Sequence, residues 1–335
     1  MATALDAPAG SAVETRTLQA DRGDARHRLD HMLCRHLHDV PGLSRAWVQR
    51  AVARGLVSVN GVTATRSAQR TAVGDVVVVA LQGRRQREVM VAEAGELDVV
   101  YEDEALLVVN KPAGLVAHPT YRHQHGTLMN RLLARATTWP EGQRPSLVGR
   151  LDKLTSGLVL VAKSARVHAA LQRALQPVTA VKEYAALVHG VVPAGVRTIS
   201  LPLMRDPEDR RRVVAHPDGA PSVTVVERVS VSRAIDGAPE VSLVRCHLRT
   251  GRTHQIRVHL AASGWPILGD PVYGRATSAD AADALPDTTT SAHRITRQAL
   301  HASALACVHP TTGHPLRVTA PLPDDMRALV EALGL

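Results

Sequence analysis

The stretch that most constrains this chain is residues 149–157, Gly-Arg-Leu-Asp-Lys-Leu-Thr-Ser-Gly, followed at once by the five apolar residues 158–162. An apolar run of this length is typical of a strand buried on both faces, which makes the polar stretch a loop at the edge of a buried sheet. Asp152 is the only carboxylate in that loop, and a carboxylate is costly to bury unless it is paired and hydrogen-bonded. Taken alone, these residues favour a structural ion pair over a catalytic carboxylate, because structural pairs are also common around perturbed carboxylates.

Length and composition set the limits on the class of protein. The 335 residues are enough for about two domains and a sizeable core. The three cysteines are far apart, which indicates free thiols in a reducing cytoplasm and not a disulfide framework or a zinc site. The longest purely apolar run, residues 76–81, is far shorter than the ~20 residues of a membrane helix, and the N-terminus lacks the apolar core of a secretory signal. We therefore expect a cytoplasmic protein with no membrane partner.

The positive charge is concentrated in one segment. Of a formal net charge of +9, residues 25–88 carry +7. In this segment Asp30, Asp39, Asp75 and Glu88 stand against eleven arginines: Arg26, Arg28, Arg35, Arg45, Arg50, Arg54, Arg66, Arg70, Arg84, Arg85 and Arg87. Such a concentration on a small module is the footprint expected of nucleic-acid binding, although a solvated arginine face would look similar.

The chain divides into a flexible tail (residues 1–24), a compact module (25–84), a linker (81–91) and a larger domain (92–335). In the compact module, leucines repeating every four residues from Leu29 predict one helix, and Ser44 is predicted to cap a second. Asn60 and Gly61 predict a hairpin turn. We expect two helices and a small sheet that form an RNA-binding platform with arginines on one helix, where Arg50 and Arg54 lie one turn apart.

Five short motifs mark this module: Arg28-Leu29-Asp30, Ser44-Arg45, Gly55-Leu56-Val57, Val59-Asn60-Gly61 and Gly74-Asp75. On these motifs the module resembles the ribosomal-protein S-four-like RNA-binding domain. In that family the second helix and the following turn contact structured RNA, so the resemblance implies that Arg45, Arg50 and Arg54 bind RNA.

The larger domain is predicted to contain several strands and at least two helices. Ser164 is predicted to cap a helix, and Thr253 is a candidate cap for another that Gly264 ends. Residues 276–290 are rich in Ala, Asp, Thr and Pro and are interpreted as a surface insertion. Strands are predicted in several segments: 99–104, 106–110, 158–162, 182–188, 222–233 and 240–249.

The residue patterns provide no support for metal or cofactor chemistry. His254 and His259 are five residues apart, which misses one helix face, and no Cys-x-x-Cys pair or carboxylate metal run is present. Phosphate-loop, dinucleotide and Gly-x-Ser-x-Gly motifs are absent as well. We therefore predict an activity that uses neither metal nor cofactor.

Short motifs recur along the larger domain: Tyr101-Glu102-Asp103, Asn110-Lys111-Pro112-Ala113-Gly114-Leu115-Val116, His118-Pro119, Arg150-Leu151-Asp152, Thr155-Ser156-Gly157-Leu158, Lys182-Glu183-Tyr184, Gly190, Thr250-Gly251-Arg252-Thr253-His254-Gln255-Ile256-Arg257, Gly269-Asp270-Pro271, Tyr273-Gly274, Leu300-His301-Ala302 and His309-Pro310. On these motifs the domain resembles the RluA-type pseudouridine synthases. The resemblance implies an α+β fold with a mixed, largely antiparallel sheet and flanking helices. It also implies isomerisation of uridine to pseudouridine within RNA, which reverses the preference for a merely structural Asp152.

The resemblance also assigns roles. The family's invariant aspartate falls on Asp152, which either attacks the anomeric carbon or removes the neighbouring sugar hydrogen to give a glycal. Arg257 is the cation beside it, and Tyr184 is the aromatic residue that stacks on the extracted uracil and helps move the proton from ring carbon five. Arg150 grips the RNA backbone, splints the opened helix or braces the loop, and Lys111 is interpreted as structural.

Two departures from the family pattern concern the RNA site and not the aspartate. Gly149 stands where the family usually has histidine, and the chain has no phenylalanine.

We predict a monomeric synthase that acts on large-subunit ribosomal RNA. The alternatives are a non-catalytic RNA-binding or ribosome-assembly factor and an N-glycosidase, which would need an activated water and would release free uracil.

Overall fold

The computed structural model describes residues 14–40, 43–81, 90–120, 123–176, 179–209, 211–232, 240–274 and 295–335. They form two compact units, Met1–Val89 and Met90–Leu335. Most of the segment interpreted as a linker and the insertion at residues 276–290 lie outside the described residues. No helix in the described part of the chain is long and apolar enough to cross a bilayer.

The N-terminal unit packs two helices on a four-stranded antiparallel sheet. Its elements are β1 (Thr15–Gln19), α1 (Leu29–His36), α2 (Arg45–Ala53), β2 (Val57–Val59), β3 (Val62–Thr63) and β4 (Val76–Ala80). The strand order is β1-β4-β2-β3. The predicted cap of α2 is confirmed, because the Ser44 side chain accepts the Trp47 N–H at 3.2 Å.

The first strand corrects the prediction of a flexible tail over residues 1–24. Residues 15–19 form an edge strand that pairs antiparallel with β4, from Thr15 opposite Ala80 to Gln19 opposite Val76. The sequence Thr-Arg-Thr-Leu-Gln lacks an apolar alternation because only Leu18 packs against the core. An edge strand that buries one side chain leaves too weak a periodic signal to be recognised.

The C-terminal unit is built on a ten-stranded mixed sheet. Its elements are β5 (Val99–Glu102), β6 (Leu106–Lys111), α3 (Leu128–Arg135), a 3-10 turn (Ala136–Thr138), β7 (Ser146–Leu147), β8 (Ser156–Ala162), α4 (Ala165–Ala174), β9 (Val181–His189), β10 (Val196–Ser200), β11 (Leu203–Arg205), β12 (Val213–Ala215), β13 (Val223–Val231), β14 (Val241–Leu248), α5 (Gln255–Ala262), β15 (Leu300–Val308), β16 (Pro315–Thr319) and α6 (Asp324–Ala332). The main strand order is β10-β13-β14-β9-β15-β8-β6-β5, with β16 on β15 and β7 on β8; β11 and β12 form a separate hairpin.

This architecture confirms the predicted mixed, largely antiparallel sheet. Among the strand pairs of the described residues, only β8 and β15 run parallel. The apolar run after residue 157 is confirmed as a central strand, because all seven residues of β8 are buried. Gly157 has a φ of +111°, and a Cβ there would lie 2.3 Å from the Ala302 carbonyl oxygen. The loop carrying Asp152 therefore ends where two central strands approach each other closely.

Candidate active site

Two buried cations hold the loop of residues 149–155 in place. Lys111 is 1% exposed, and its Nζ donates to the carbonyl oxygens of Pro112 at 2.9 Å, Leu115 at 2.9 Å and Lys153 at 3.1 Å. Burial lowers its pKa to about 8, although the charge of Asp152 acts in the opposite direction. These bonds agree with the structural interpretation of Lys111.

A second cation, Arg297 in the segment before β15, supports the same loop. Arg297 donates from Nη1 to the Leu154 carbonyl oxygen at 3.3 Å and is fixed by Asp325 of α6, with bonds of 2.7 and 2.8 Å. Next to it, Gln298 Nε2 donates to Thr155 Oγ1 at 3.2 Å. Neither residue stands out in the sequence, because the loop residues that they contact lie 143 positions away along the chain.

Asp152 lies beside Arg257, the neighbour that the resemblance implies. Arg257 Nη1 donates to Asp152 Oδ2 at 2.9 Å across 105 positions of sequence. The guanidinium also grips Asp270, with Nε to Oδ2 at 2.7 Å and Nη2 to Oδ1 at 2.8 Å. The side chains of Arg257 and Asp270 are 5% and 0% exposed, whereas that of Asp152 is 27% exposed. The pair is thus buried on the Asp270 side and open to the cleft on the Asp152 side.

Asp270 anchors this arrangement, and sequence analysis gave it no role. Its Oδ1 also accepts the N–H groups of Val272 at 2.9 Å and Tyr273 at 3.0 Å. Burial raises the pKa of Asp270, but the bonds from Arg257 and from the two amides outweigh burial and hold the pKa below its usual range. The Gly-Asp-Pro motif of the sequence marks this position. Four charge-assisted hydrogen bonds to a single carboxylate explain why an aspartate stands there.

The turn before α5 places both Arg257 and His254. Gln255 Oε1 accepts from Thr250 Oγ1 at 2.8 Å and from the Arg252 N–H at 3.0 Å. The residue before the helix is His254, with a φ of +55° and no side-chain cap, so the prediction that Thr253 caps this helix is wrong. The side chain of Gln255 closes the turn instead, and the helix begins one residue later than expected.

Tyr184 lies on β9, between Cys246 of β14 and Ala302 of β15. Burial, and after it the charge of Asp152, raises the pKa of its hydroxyl above the usual range. A phenol with a raised pKa stays protonated near neutrality, so Tyr184 presents a ring face and a hydroxyl donor.

These groups line a cleft of about 940 Å³. Asp152 is the only acidic residue among the described residues that line it. Seven basic residues line it as well: Arg150, Lys153, Lys182, Arg205, Arg249, Arg252 and Arg257. Arg150 is exposed at this lining, next to Gly149, whose φ of +92° favours glycine over histidine.

The three arginines predicted to bind RNA in the N-terminal unit differ in their surroundings. Arg45 Nε donates at 3.1 Å to Asp30, a fully buried carboxylate that also binds Arg28. Arg50 and Arg54 are exposed on α2 and at its C-terminal cap. Arg45 therefore also has a structural contact, and the other two present their charge to solvent.

A cleft with one carboxylate among many cations is the arrangement expected of an enzyme that acts on a polyanion. A family model described as RNA pseudouridylate synthase matches residues 105–262. The uncharacterised RNA pseudouridine synthase YlyB of Bacillus subtilis is 38% identical over 322 residues, covering 94% of this chain and 97% of its own. The chain belongs to the RNA pseudouridine synthase family, and its activity is that of an isomerase.

Other similar proteins support this assignment. The ribosomal large subunit pseudouridine synthase D of Nitrosomonas europaea is 39% identical over 331 residues, covering 97% of this chain and 90% of its own. The solved structure of human RNA pseudouridylate synthase domain containing 4 superposes with a TM-score of 0.54 at 25% identity, covering 70% of this chain and 92% of its own.

Proposed function

We propose that the enzyme isomerises uridine in large-subunit ribosomal RNA, with Asp152 as the reacting carboxylate. The observation that carries the proposal is the position of Asp152. It is held by Arg257, and among the described lining residues of a basic cleft it is the one acidic group. The relative from Nitrosomonas europaea, and one from Neisseria meningitidis that is 36% identical, bear the name of ribosomal large subunit synthases.

Two routes use this geometry. In the first, an Asp152 oxygen bonds to the anomeric carbon while the bond from sugar to uracil nitrogen breaks and uracil leaves with both electrons. In the second, the carboxylate removes the proton on the neighbouring ribose carbon, and the same bond breaks to give a glycal. In both routes the base rotates and ring carbon five bonds to the anomeric carbon. In the first route this displaces the Asp152 oxygen from that carbon, and in the second the Asp152 carboxylic acid returns its proton to the neighbouring ribose carbon. The proton on carbon five is then lost, and the former glycosidic nitrogen takes up a proton.

Arg257 and Tyr184 support either route. The guanidinium fixes the carboxylate, and the two hydrogen bonds that Arg257 donates to Asp270 leave it little freedom to follow another anion. The ring of Tyr184 is offered to the freed uracil for stacking, and its hydroxyl relays the proton from carbon five by accepting one proton as it gives up its own. The target base must leave its stack, at a cost of a few kcal/mol that is least in loops and bulges.

Loss of tritium from uracil carbon five tests these roles. Total RNA labelled with tritium at that carbon is incubated with wild type, Asp152→Asn and Glu331→Gln, the last as a control that neutralises an exposed carboxylate outside the cleft. We expect release by wild type and by the control, and none above background by Asp152→Asn. Release by Asp152→Asn at the wild-type rate would exclude Asp152 as the reacting group, and free uracil among the products would indicate glycosidase chemistry.

The N-terminal unit is proposed to be an S-four-like module that adds RNA affinity through α2. Arg50 and Arg54 present their charge on the surface of this helix. On single strands, each lost phosphate contact lowers the magnitude of the slope of log affinity against log salt concentration by ~0.7. The double variant Arg50→Gln with Arg54→Gln should therefore lower this magnitude by ~1.4.

The matched control for this charge removal is the pair Arg317→Gln and Arg327→Gln, which removes the same charge from the C-terminal unit. An equal change in slope for both pairs would mean that net charge, and not the face of α2, governs binding. That the enzyme is a cytoplasmic monomer stays a prediction, which sedimentation and cell fractionation would test.

A further inference from the structure

His254 has a left-handed backbone at the wall of the cleft. Its φ of +55° is a conformation that few non-glycine residues adopt, and asparagine, aspartate and histidine are the most frequent of those. Its Nε2 lies 3.8 Å from Asp152 Oδ2, and its Nδ1 lies 2.9 Å from the hydroxyl oxygen of Tyr273. A non-glycine residue in this conformation, with its ring between two active-site groups, points to a function for the side chain.

The hydrogen bonds of Tyr273 decide which imidazole nitrogen carries the proton. The Val213 N–H donates to the Tyr273 hydroxyl oxygen at 2.8 Å, so the phenolic proton needs another acceptor. In the part of the chain that the structure describes, that acceptor is His254 Nδ1. Burial raises the pKa of Tyr273 and lowers that of His254, which keeps the phenol protonated and the imidazole neutral. The ring proton therefore lies on Nε2.

The opposite tautomer would be unfavourable for two reasons. It would leave the phenolic proton without an acceptor among the described residues, and an unmade buried bond costs ~1–3 kcal/mol. It would also direct the lone pair of Nε2 at the Asp152 carboxylate. Both effects favour an Nε2–H that faces the carboxylate.

Among the described residues, no group accepts a hydrogen bond from the Nε2–H of His254. A separation of 3.8 Å from Asp152 is too long for a hydrogen bond. The side chain of His254 is nevertheless 19% exposed and lines the cleft, so a substrate atom can reach it. An N–H fixed by a chain of bonds, beside the reacting carboxylate and without a partner, is a preorganised donor.

We propose that His254 is a further catalytic residue, whose Nε2–H donates to an oxygen of the target uridine next to the anomeric carbon. Two oxygens qualify, the ribose 2′ oxygen and the carbonyl oxygen on uracil carbon two. This inference rests on the proposed role of Asp152, which brings the anomeric carbon to the carboxylate. Because uracil leaves with both electrons, its carbonyl oxygens gain negative charge, and a fixed donor stabilises that charge.

Two substitutions at position 254 separate this role from a backbone role. His254→Gln places an amide N–H near the position of Nε2, whereas His254→Asn places one near Nδ1 but suits the left-handed backbone better. We expect the single-turnover rate of tritium release to be at least about tenfold higher for Gln than for Asn. We also expect the Asn variant to unfold at the same temperature as the Gln variant or higher. A purely structural role reverses the order of the rates, and an Asn rate equal to or above the Gln rate overturns the proposal.

Tyr273→Phe tests the chain of bonds without changing the backbone preference at position 254, and it decides the matter even if both variants at 254 unfold. Removing the hydroxyl removes one of the two effects that favour the Nε2–H tautomer and the one hydrogen bond that orients the ring within the described residues. The rate should therefore fall several-fold in the otherwise wild-type enzyme and not further in His254→Asn. An unchanged rate in Tyr273→Phe overturns the proposal.

Substrate analogues identify the acceptor and separate this inference from the proposed function. The single-turnover rates of wild type and His254→Asn should become equal on RNA with 2′-deoxyuridine at the target if the ribose 2′ oxygen accepts the hydrogen bond. If the carbonyl oxygen on uracil carbon two accepts it, the two rates should become equal on RNA with 2-thiouridine. A difference between the two rates that persists on both RNAs overturns the proposal. An inactive wild type, or an Asp152→Asn variant as active as wild type, would contradict the proposed function instead.

Discussion

The sharpest test of the site concerns the buried pair of Arg257 and Asp270. Arg257→Met removes three charge-assisted bonds and leaves Asp270, which is fully buried, without its counter-ion. Breaking a buried pair from one side costs ~3–5 kcal/mol because an uncompensated charge remains. For a unit of this size that is a fall of roughly 6–20 °C in the unfolding temperature.

The double variant Arg257→Met with Asp270→Asn should recover a large part of this loss. Asparagine keeps Oδ1, which accepts the N–H groups of Val272 and Tyr273. Because asparagine is neutral, no unpaired charge remains buried. Removing both charges of a buried pair is often close to neutral for stability. Both variants should be inactive, so stability and catalysis separate within one series.

Acid stability provides an independent readout in the same series. In the folded state the pKa of Asp270 lies below its usual value of 3.8. The ionised carboxylate therefore adds its full contribution to the free energy of unfolding above pH 3.8. That contribution is lost as the pH falls from 3.8 through the pKa of the folded state. The double variant should lack this part of the acid dependence. Calorimetric unfolding between pH 2 and 7 measures both effects. A loss below ~1 kcal/mol in Arg257→Met, or a double variant no more stable than the single one, would refute the reasoning.

Two further predictions concern the loop and its anchor. Gly157→Ala should unfold the C-terminal unit or cost well over ~3 kcal/mol, since its Cβ would meet the Ala302 carbonyl oxygen at 2.3 Å. Gly149→Ala is the control: its φ is +92° and a Cβ there meets open space, so it should cost only ~1–2 kcal/mol. Equal unfolding temperatures for the two alanine variants would show that the backbone at Gly157 does not closely approach Ala302. The pKa of Lys111 is lowered from 10.5 to about 8, so stability should rise with pH across that interval by ~3 kcal/mol. This rise should be absent in Lys111→Met and present in the exposed control Lys153→Met, as alkaline denaturant titrations would measure.

Local patterns of the sequence determined much of the fold. Local sequence patterns predicted several elements correctly, because each pattern depends on residues a few positions apart. These elements are the apolar strand β8, the leucine repeat of α1, the serine caps of α2 and α4, and the Asn-Gly hairpin turn. The quoted motifs determined the family for the same reason, since they are short and contiguous. Edge strand β1 was missed because it buries a single side chain.

The tertiary structure decided everything that depends on contacts between distant segments. It brought Arg257 to Asp152 across 105 positions, set Asp270 behind the guanidinium and placed Tyr273 where it fixes the proton of His254. A carboxylate, an imidazole or a lysine has no assigned role until its burial and its bonding partners are known. Those follow from how strands and helices pack, because hydrogen bonds act over about 3 Å in space regardless of separation along the chain.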